Sequence, residues 1–112
     1  MAFYKIIDAA AWRQAEDAGV FKGAAIDLAD GYIHLSTATQ VRETARLHFA
    51  EVENLLLVAI DESVVASHLK WEASRGGQLF PHIYGVIDPA QIFWAMPLPW
   101  DGTTHIFPAE FE

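Results

Sequence analysis

The chain has 112 residues and no cysteine, and its 15 acidic residues against 7 basic ones give a net charge of −8. This length predicts one domain over residues 1–112, and the lack of cysteine excludes disulfide scaffolds, thiolate nucleophiles and cysteine-ligated metals. The few, scattered basic residues argue against a nucleic acid or an anionic membrane as partner, since both require converging Lys or Arg. We therefore expect a small-molecule ligand, and the oligomeric state stays open.

The location of the protein is predicted from what the sequence does not show. The longest apolar run, residues 55–60, is far too short to span a bilayer. The first residues carry no basic segment followed by a long apolar stretch, so they do not resemble a signal peptide. We expect a cytoplasmic protein.

Hydrophobic periodicity and turn signals predict short strands interleaved with two or three helices, which is typical of an α+β domain. In chain order the predicted elements are a strand over 3–7, a helix from Asp8 to Gly19, an irregular segment over 20–28, a strand over 32–36, a helix capped by Thr37 and Gln40, a buried central strand over 55–60, a short helix over 61–70, a strand over 80–85, a turn at Asp88-Pro89 and a strand over 92–96.

Two of these strands carry a histidine among hydroxyl-bearing residues. Strand alternation places two sets of side chains on one face each, namely Tyr32, His34 and Ser36 in the first strand and Phe80, His82 and Tyr84 in the second. The intervening residues are apolar and are expected to face the core. A strand that serves only packing does not need this arrangement, whereas a polar pocket does, and imidazole readily holds or moves a proton near neutral pH. We predict that His34 and His82 lie in one cleft.

Each candidate side chain also has a purely structural interpretation. His34 is expected to act as a general base or a ligand anchor, or else to be a partly buried histidine bonded to a neighbour. Ser36 would lie at a helix N-terminus, where free N–H groups favour an anion such as phosphate, although it could simply start the helix. Tyr84 could stack on a ligand ring or be a core tyrosine. Arg75, in a glycine-rich loop, could bind a carboxylate or phosphate or be a surface charge.

Glu72 is the candidate carboxylate. Its position beside Trp71 could raise its pKa and make it an acid or base, although such residues are more often solvated or ion-paired. With His34 and His82 it has the chemistry of a three-ligand zinc site, but no HxH or HExxH spacing supports a metal. A Ser-His-Asp triad lacks the GxSxG motif. We therefore predict catalytic roles for His34, Glu72 and His82, ligand contacts from Ser36, Tyr84 and Tyr32, and no metal.

These segments resemble a family of small bacterial proteins known as domain of unknown function 952. The shared features are the initial strand, Trp12, the segment 30–37 with Gln40, the segment 69–72 and the segment 80–85. The resemblance covers about residues 3–98.

That family is similar in fold to the ADP-ribosyltransferases, and residues 33–37 also look like part of the RNA 2′-phosphotransferase branch of that superfamily. The resemblance implies two small packed sheets around a cleft with two or three outer helices, a transferase or hydrolase activity, and NAD as a candidate cofactor. Lys5 stands near the position where these relatives carry Arg or His, so it becomes a candidate ligand contact. Because Lys is a point charge without a bidentate grip, we expect NAD to bind weakly at most.

The sequence therefore supports two hypotheses about function. The first is an enzyme that acts on a nucleotide-like or phosphorylated small molecule, because two imidazoles and a carboxylate cluster. The second is a binding module that keeps the cleft without the chemistry, because the first-strand Arg or His is missing.

Overall fold

The structure, a computed structural model, describes residues 1–111 except the side chain of Arg75, so the expected role of Arg75 lies outside the described residues. In chain order the helices and strands are β1 (Ala2–Asp8), α1 (Ala9–Ala18), α2 (Ala25–Asp30), β2 (Ile33–His34), α3 (Val41–His48), β3 (Leu55–Asp61), α4 (Glu62–Val65), β4 (Leu69–Ala73), β5 (Leu79–Ile83) and β6 (Ile92–Pro97). The architecture is α+β, as predicted. None of the helices in residues 1–111 combines the length and apolar character needed to cross a membrane.

The strands form two antiparallel three-stranded sheets, in the orders β1-β3-β6 and β2-β5-β4. The chain passes between them directly after β2. The Leu35 amide still donates to Pro81 of β5, but Ser36 exchanges two backbone hydrogen bonds of 2.8 and 2.9 Å with Tyr4 of β1. The strand predicted over residues 32–36 is therefore only two residues long, because the chain changes partner sheet there.

The main core lies between the two sheets. It joins Phe3, Ile7, Val58 and Ile60 of the first sheet to Ile33 and Ile83 of the second, with Trp12 of α1 packed in as well. A second core on the far face of the first sheet contains Leu57 and the buried residues of α3, Val41 and Ala45. Strand β3 is therefore buried on both faces, which confirms its predicted central position.

The helix that follows β1 confirms the predicted capping. The Asp8 carboxylate accepts hydrogen bonds from the amides of Ala10 and Ala11, and Gly19 ends the helix in the left-handed region at φ 77°. The strand over 92–96 and the turn at Pro89 are also confirmed.

Three helix predictions were wrong in part. The segment 20–28 was expected to be irregular but contains most of α2. The helix expected directly after Thr37 begins only at Val41, although the Thr37 amide does donate to the Gln40 side chain at 3.1 Å. The helix expected over 61–70 ends at Val65, and after a single 3₁₀ turn the chain enters β4 at Leu69 because this segment pairs with β5.

Candidate functional site

Strand pairing brings the two predicted histidines together. In the register of β2 and β5, His34 lies directly opposite His82. The centroids of the two imidazole rings are 5.4 Å apart in an edge-to-face arrangement. The two rings are therefore adjacent, as the prediction of one shared cleft requires.

Both imidazoles line a cleft of about 420 Å³ beside the junction of the two sheets. This volume lies within the range of small-ligand pockets. The cleft is also lined by Lys5, Ser36 and Phe80, and by two residues of α2, Ile26 and Asp30. Of the predicted site residues, Lys5, His34, Ser36 and His82 therefore line the cleft, whereas Tyr32, Glu72 and Tyr84 do not.

Behind the cleft wall, Lys5 and Asp27 form a buried ion pair. The Lys5 ammonium lies 2.9 Å from both carboxylate oxygens of Asp27, and it donates a further hydrogen bond of 3.1 Å to the His34 carbonyl. Burial lowers the pKa of Lys5, while Asp27 opposes this by favouring the charged form. The three N–H donors of Lys5 are therefore committed within the protein, so its direct effect is to position Asp27 rather than to grip a ligand.

Asp27 in turn holds His34. Oδ1 of Asp27 accepts a hydrogen bond of 2.7 Å from the Nδ1–H of His34 and one of 3.1 Å from the His34 amide. Burial raises the pKa of Asp27, but the Lys5 ammonium and the hydrogen bonds from Lys5 and His34 outweigh it, so the pKa lies below its usual value. An ionised carboxylate can accept a hydrogen bond but cannot donate one, so the proton of this hydrogen bond is carried by Nδ1 of His34.

The other nitrogen of His34 faces a second carboxylate. Its Nε2 lies 3.0 Å from Oδ2 of Asp30, one turn along α2 from Asp27. The His34 side chain is 30% exposed and that of Asp30 is 43% exposed, whereas that of Asp27 is fully buried. The imidazole is therefore held between one fixed carboxylate and one that solvent can reach.

His82 has a carboxylate partner of its own. Its Nδ1 lies 2.8 Å from Oε1 of Glu72 across the β4–β5 pair, and the Tyr84 hydroxyl donates to the same oxygen at 2.8 Å. These two hydrogen bonds lower the pKa of Glu72 and the bond to Glu72 raises the pKa of Tyr84. The expectation that Trp71 raises the pKa of Glu72 is therefore wrong, because neighbours on a strand face opposite ways and Trp71 packs on Phe3 instead.

Tyr32 lies among the other rings of the site. Its ring stacks on His82 at 4.2 Å between centroids, with His34 at 4.6 Å and Tyr84 at 5.2 Å. Burial, followed by the charges of Asp30 and Glu72, raises the pKa of Tyr32. Tyr32 therefore packs against both imidazoles, and the ring of Tyr84 is covered by the Lys70 ammonium at 4.6 Å.

Ser36 lies in the cleft but not at a helix N-terminus. Because α3 begins at Val41, the expected cluster of free N–H groups at Ser36 is not formed there. Its hydroxyl lies 3.1 Å from that of Thr44 on α3, and Thr44 also lines the cleft. Because Thr44 donates its hydroxyl proton to the Gln40 carbonyl at 3.2 Å, Ser36 donates to Thr44 and offers a ligand an acceptor oxygen rather than a helix-dipole site for an anion.

The described residues 1–111 contain no group of three His, Asp or Glu side chains placed to hold a metal ion. The carboxylates of the site are instead each occupied by an imidazole, an ammonium or a hydroxyl. What this arrangement offers is proton transfer by two oriented imidazoles beside a cleft of ligand size.

Comparison with known proteins places the chain in a family. The family model described as protein of unknown function DUF952 matches residues 6–95. The chain belongs to this family. It is similar to the crystal structure of protein CC0527 from Caulobacter crescentus, with 38% sequence identity, a TM-score of 0.91, and 99% of this chain and 98% of that chain covered. The solution NMR structure of CC0527 gives 42% identity and a TM-score of 0.80, over 90% and 87% of the two chains. No curated protein matches.

Sequence reasoning missed the two carboxylates that hold His34 in this DUF952 protein. Asp27 and Asp30 lie on α2, a helix that buries its acid while Ile26 and Leu28 are 61% and 65% exposed. This is the reverse of the usual amphipathic pattern, so hydrophobic periodicity did not predict α2 or the inward position of Asp27. One signal was available in β1, because Lys5 shares a strand face with Phe3 and Ile7, and a buried lysine requires an acidic partner.

Two glycines allow α2 to place Asp27. A Cβ on Gly23 would lie 2.8 Å from the Cβ of Asp27, so only glycine fits there, and its φ is +131°. Gly31 ends the helix at φ 88° and donates its amide to the Asp27 carbonyl at 2.8 Å. The Gly31 turn leads the chain directly into β2 and His34.

Proposed function

We propose that this DUF952 protein is an enzyme that acts on a nucleotide-like or phosphorylated small molecule in the cleft beside the junction of its two sheets. The observation that carries the proposal is the Asp27–His34 hydrogen bond of 2.7 Å at the wall of a 420 Å³ cleft. A buried, ionised carboxylate that accepts from Nδ1–H fixes the orientation of the ring, which is how a carboxylate prepares an imidazole for proton transfer.

The remaining lining suits a molecule with a ring and hydroxyl groups. Ile26 and Phe80 offer apolar surface for a flat ring, and Ile26 is well exposed although it is apolar. The Ser36 hydroxyl also lines the cleft, and its oxygen can accept a hydrogen bond from a sugar hydroxyl while its proton is directed at Thr44. In this proposal His34 and His82 exchange protons with the ligand, Glu72 orients His82, and Tyr32 and Tyr84 support that imidazole.

We also propose that the fold is related to that of the ADP-ribosyltransferases, which the two small antiparallel sheets beside a cleft support. NAD itself fits this cleft poorly. The Lys5 donors are committed to Asp27 and the His34 carbonyl, and no other Lys or Arg among the described residues lines the cleft to neutralise the two charges of a pyrophosphate. We therefore assign no step of the chemistry to NAD.

A binding module without catalysis is the second candidate. The observation that favours it is the contact of 3.0 Å between Nε2 of His34 and Asp30, because this contact occupies the nitrogen that a base would need. If the protein is an enzyme, the partly exposed Asp30 side chain must move away from Nε2 of His34 when the ligand binds. If the protein is a binding module, Asp30 keeps its contact with His34.

A thermal-shift screen with AMP, 3′-AMP and 2′,3′-cyclic AMP tests the proposal. A ligand that binds only the folded state raises the melting temperature, and we expect at least one of the three to do so at millimolar concentration. The shift should be lost in His34→Ala and kept in the control Asp17→Asn, which changes an exposed residue of α1. The absence of a shift with all three ligands would contradict the proposal. Chromatography of each mixture after incubation then distinguishes an enzyme, which forms a product, from a binding module, which does not.

A further inference from the structure

The two cleft imidazoles differ in what their Nε2 atoms face. Each has a carboxylate on Nδ1, at 2.7 Å for His34 and 2.8 Å for His82. Beyond this shared feature, Nε2 of His34 lies against Asp30, while Nε2 of His82 has no hydrogen-bond partner among the described residues. This difference separates the two rings into a proton donor and a proton acceptor.

His34 has the geometry of an imidazolium. Both of its nitrogens lie within 3.0 Å of carboxylate oxygens, and a carboxylate offers no proton of its own when ionised. A neutral ring can donate at only one nitrogen and would direct a lone pair at the other carboxylate. Only the doubly protonated ring donates to Asp27 and Asp30 together.

His82 has the geometry of a base. Its Nδ1–H donates to Glu72, whose pKa is lowered by the hydrogen bonds from His82 and Tyr84, so that carboxylate is an acceptor. The neutral ring then carries its lone pair on Nε2. His82 is 97% buried yet lines the cleft, so a molecule in the cleft is the partner that this nitrogen can reach.

We propose that the pair hydrolyses a small phosphodiester, with His82 as general base and His34 as general acid, and that a nucleoside 2′,3′-cyclic phosphate represents the substrate class. This assignment rests on the proposed function of the cleft and names its reaction. Hydrolysis of a phosphodiester removes one proton from water and delivers one to the leaving oxygen, which matches one acceptor and one donor with ring centroids 5.4 Å apart.

Asp30 marks where the ligand oxygen binds. Its carboxylate oxygen accepts from Nε2 of His34, as a phosphate or leaving-group oxygen would. The side chain is 43% exposed at the end of α2, so it can turn into solvent when the ligand takes its place. This exchange of one anionic oxygen for another lets an acidic chain accept a phosphodiester.

The reaction balances without a co-reactant. Nε2 of His82 takes a proton from water as the water oxygen bonds to phosphorus, and the bond from phosphorus to the leaving oxygen breaks. Nε2 of His34 gives its proton to that oxygen. The products are a phosphomonoester and a free hydroxyl, and the protonation states of the two rings reset by exchange with solvent.

Side-chain ¹⁵N NMR of the ligand-free protein near neutral pH tests the assignment first. We expect both nitrogens of His34 to be protonated, and His82 to be protonated at Nδ1 alone. In Asp30→Asn, the Nε2 signal of His34 should change because its carboxylate partner is removed, and the control Asp17→Asn should leave that signal unchanged. A neutral His34 in the native protein, or a protonated Nε2 on His82, would overturn the assignment.

Hydrolysis of 2′,3′-cyclic AMP tests the reaction. We expect turnover with a bell-shaped pH dependence, and a loss of about 100-fold or more in His82→Gln, the usual size of a general acid–base contribution. If the His82→Gln variant does not fold, Glu72→Gln keeps the His82 ring, removes the carboxylate that orients it and should still lower turnover. Binding of 2′,3′-cyclic AMP without hydrolysis would overturn this reaction and leave the proposed ligand class intact. Absence of binding would overturn both.

Discussion

Asp27 and His34 share a hydrogen bond of 2.7 Å between Oδ1 and Nδ1, although they lie seven positions apart in the sequence, one on a helix and the other on a strand. Asp27 is buried on α2 and His34 opens to the cleft from β2. Lys5 neutralises the buried charge from a third element, β1. The site thus depends on an ion pair in the core that fixes an imidazole at the surface, and the first two predictions concern this ion pair.

Asp27→Asn should destabilise the protein strongly. The substitution leaves the Lys5 ammonium buried without a counter-charge, and breaking one partner of a buried ion pair typically costs about 3–5 kcal/mol. Denaturant unfolding should show this loss, whereas the exposed control Asp17→Asn should stay within about 0.5 kcal/mol of the native protein. The double variant Lys5→Met/Asp27→Leu removes both charges and should recover part of the loss. A stability of Asp27→Asn equal to that of the control would mean that the pair is not ionised.

The same carboxylate makes stability depend on pH. The pKa of Asp27 is lower in the folded state than its reference value of 3.8, so the unfolded chain binds the proton more readily. The stabilisation is fully present above pH 3.8 and is lost as the pH falls below it, through the folded-state pKa. Unfolding free energies of the native protein measured from pH 6 down to pH 2 should fall more steeply than those of Asp27→Asn. Parallel curves for the two proteins would contradict this.

His34→Ala should affect folding far less than Leu35→Ala. His34 is partly exposed, and the loss of its hydrogen bonds should cost on the order of 1 kcal/mol. Leu35 belongs to the core between the sheets, where a Leu→Ala change costs roughly 2–5 kcal/mol. Denaturant unfolding of both variants gives the comparison directly. If the two losses are equal, His34 is a structural residue of the core and its proposed role in proton transfer fails.

Strand alternation was sufficient to predict the part of the site that lies on strands. His34, His82 and Phe80 line the cleft because the period of two and the antiparallel register place them there. Alternation also placed Ile33 and Leu35 correctly in the core. The alternation of side chains along a strand determines which face each residue occupies, so the face could be predicted from the strand sequence alone.

The carboxylates on α2 could not be predicted in this way. The helix has six residues and turns Asp27 inward because Lys5 and His34 bind it, which is a tertiary cause with no local signature. Ser36 shows the same limit. Its segment leaves the second sheet to pair with Tyr4, and this delays the start of α3 by several residues.

NAD should bind weakly at most. The Lys5 ammonium is already held by Asp27, and no other Lys or Arg among the described residues lines the cleft, so the two charges of a pyrophosphate face at most the single charge of His34. Calorimetry with NAD should give little or no heat. A clear isotherm with a dissociation constant near a micromolar, about −8 kcal/mol, would contradict the expected weak binding of NAD and favour a transferase activity.

The central claim is that His34 and His82 serve one ligand, and a side-chain NMR titration tests it most directly. AMP is added to protein labelled with ¹⁵N at histidine, and the ring signals of His34, His82 and His68 are followed. His68 is the internal control, because it is exposed and does not line the cleft. We predict that His34 and His82 shift together with one dissociation constant while His68 does not move. A titration that moves neither cleft imidazole, or only one of them, would contradict the account.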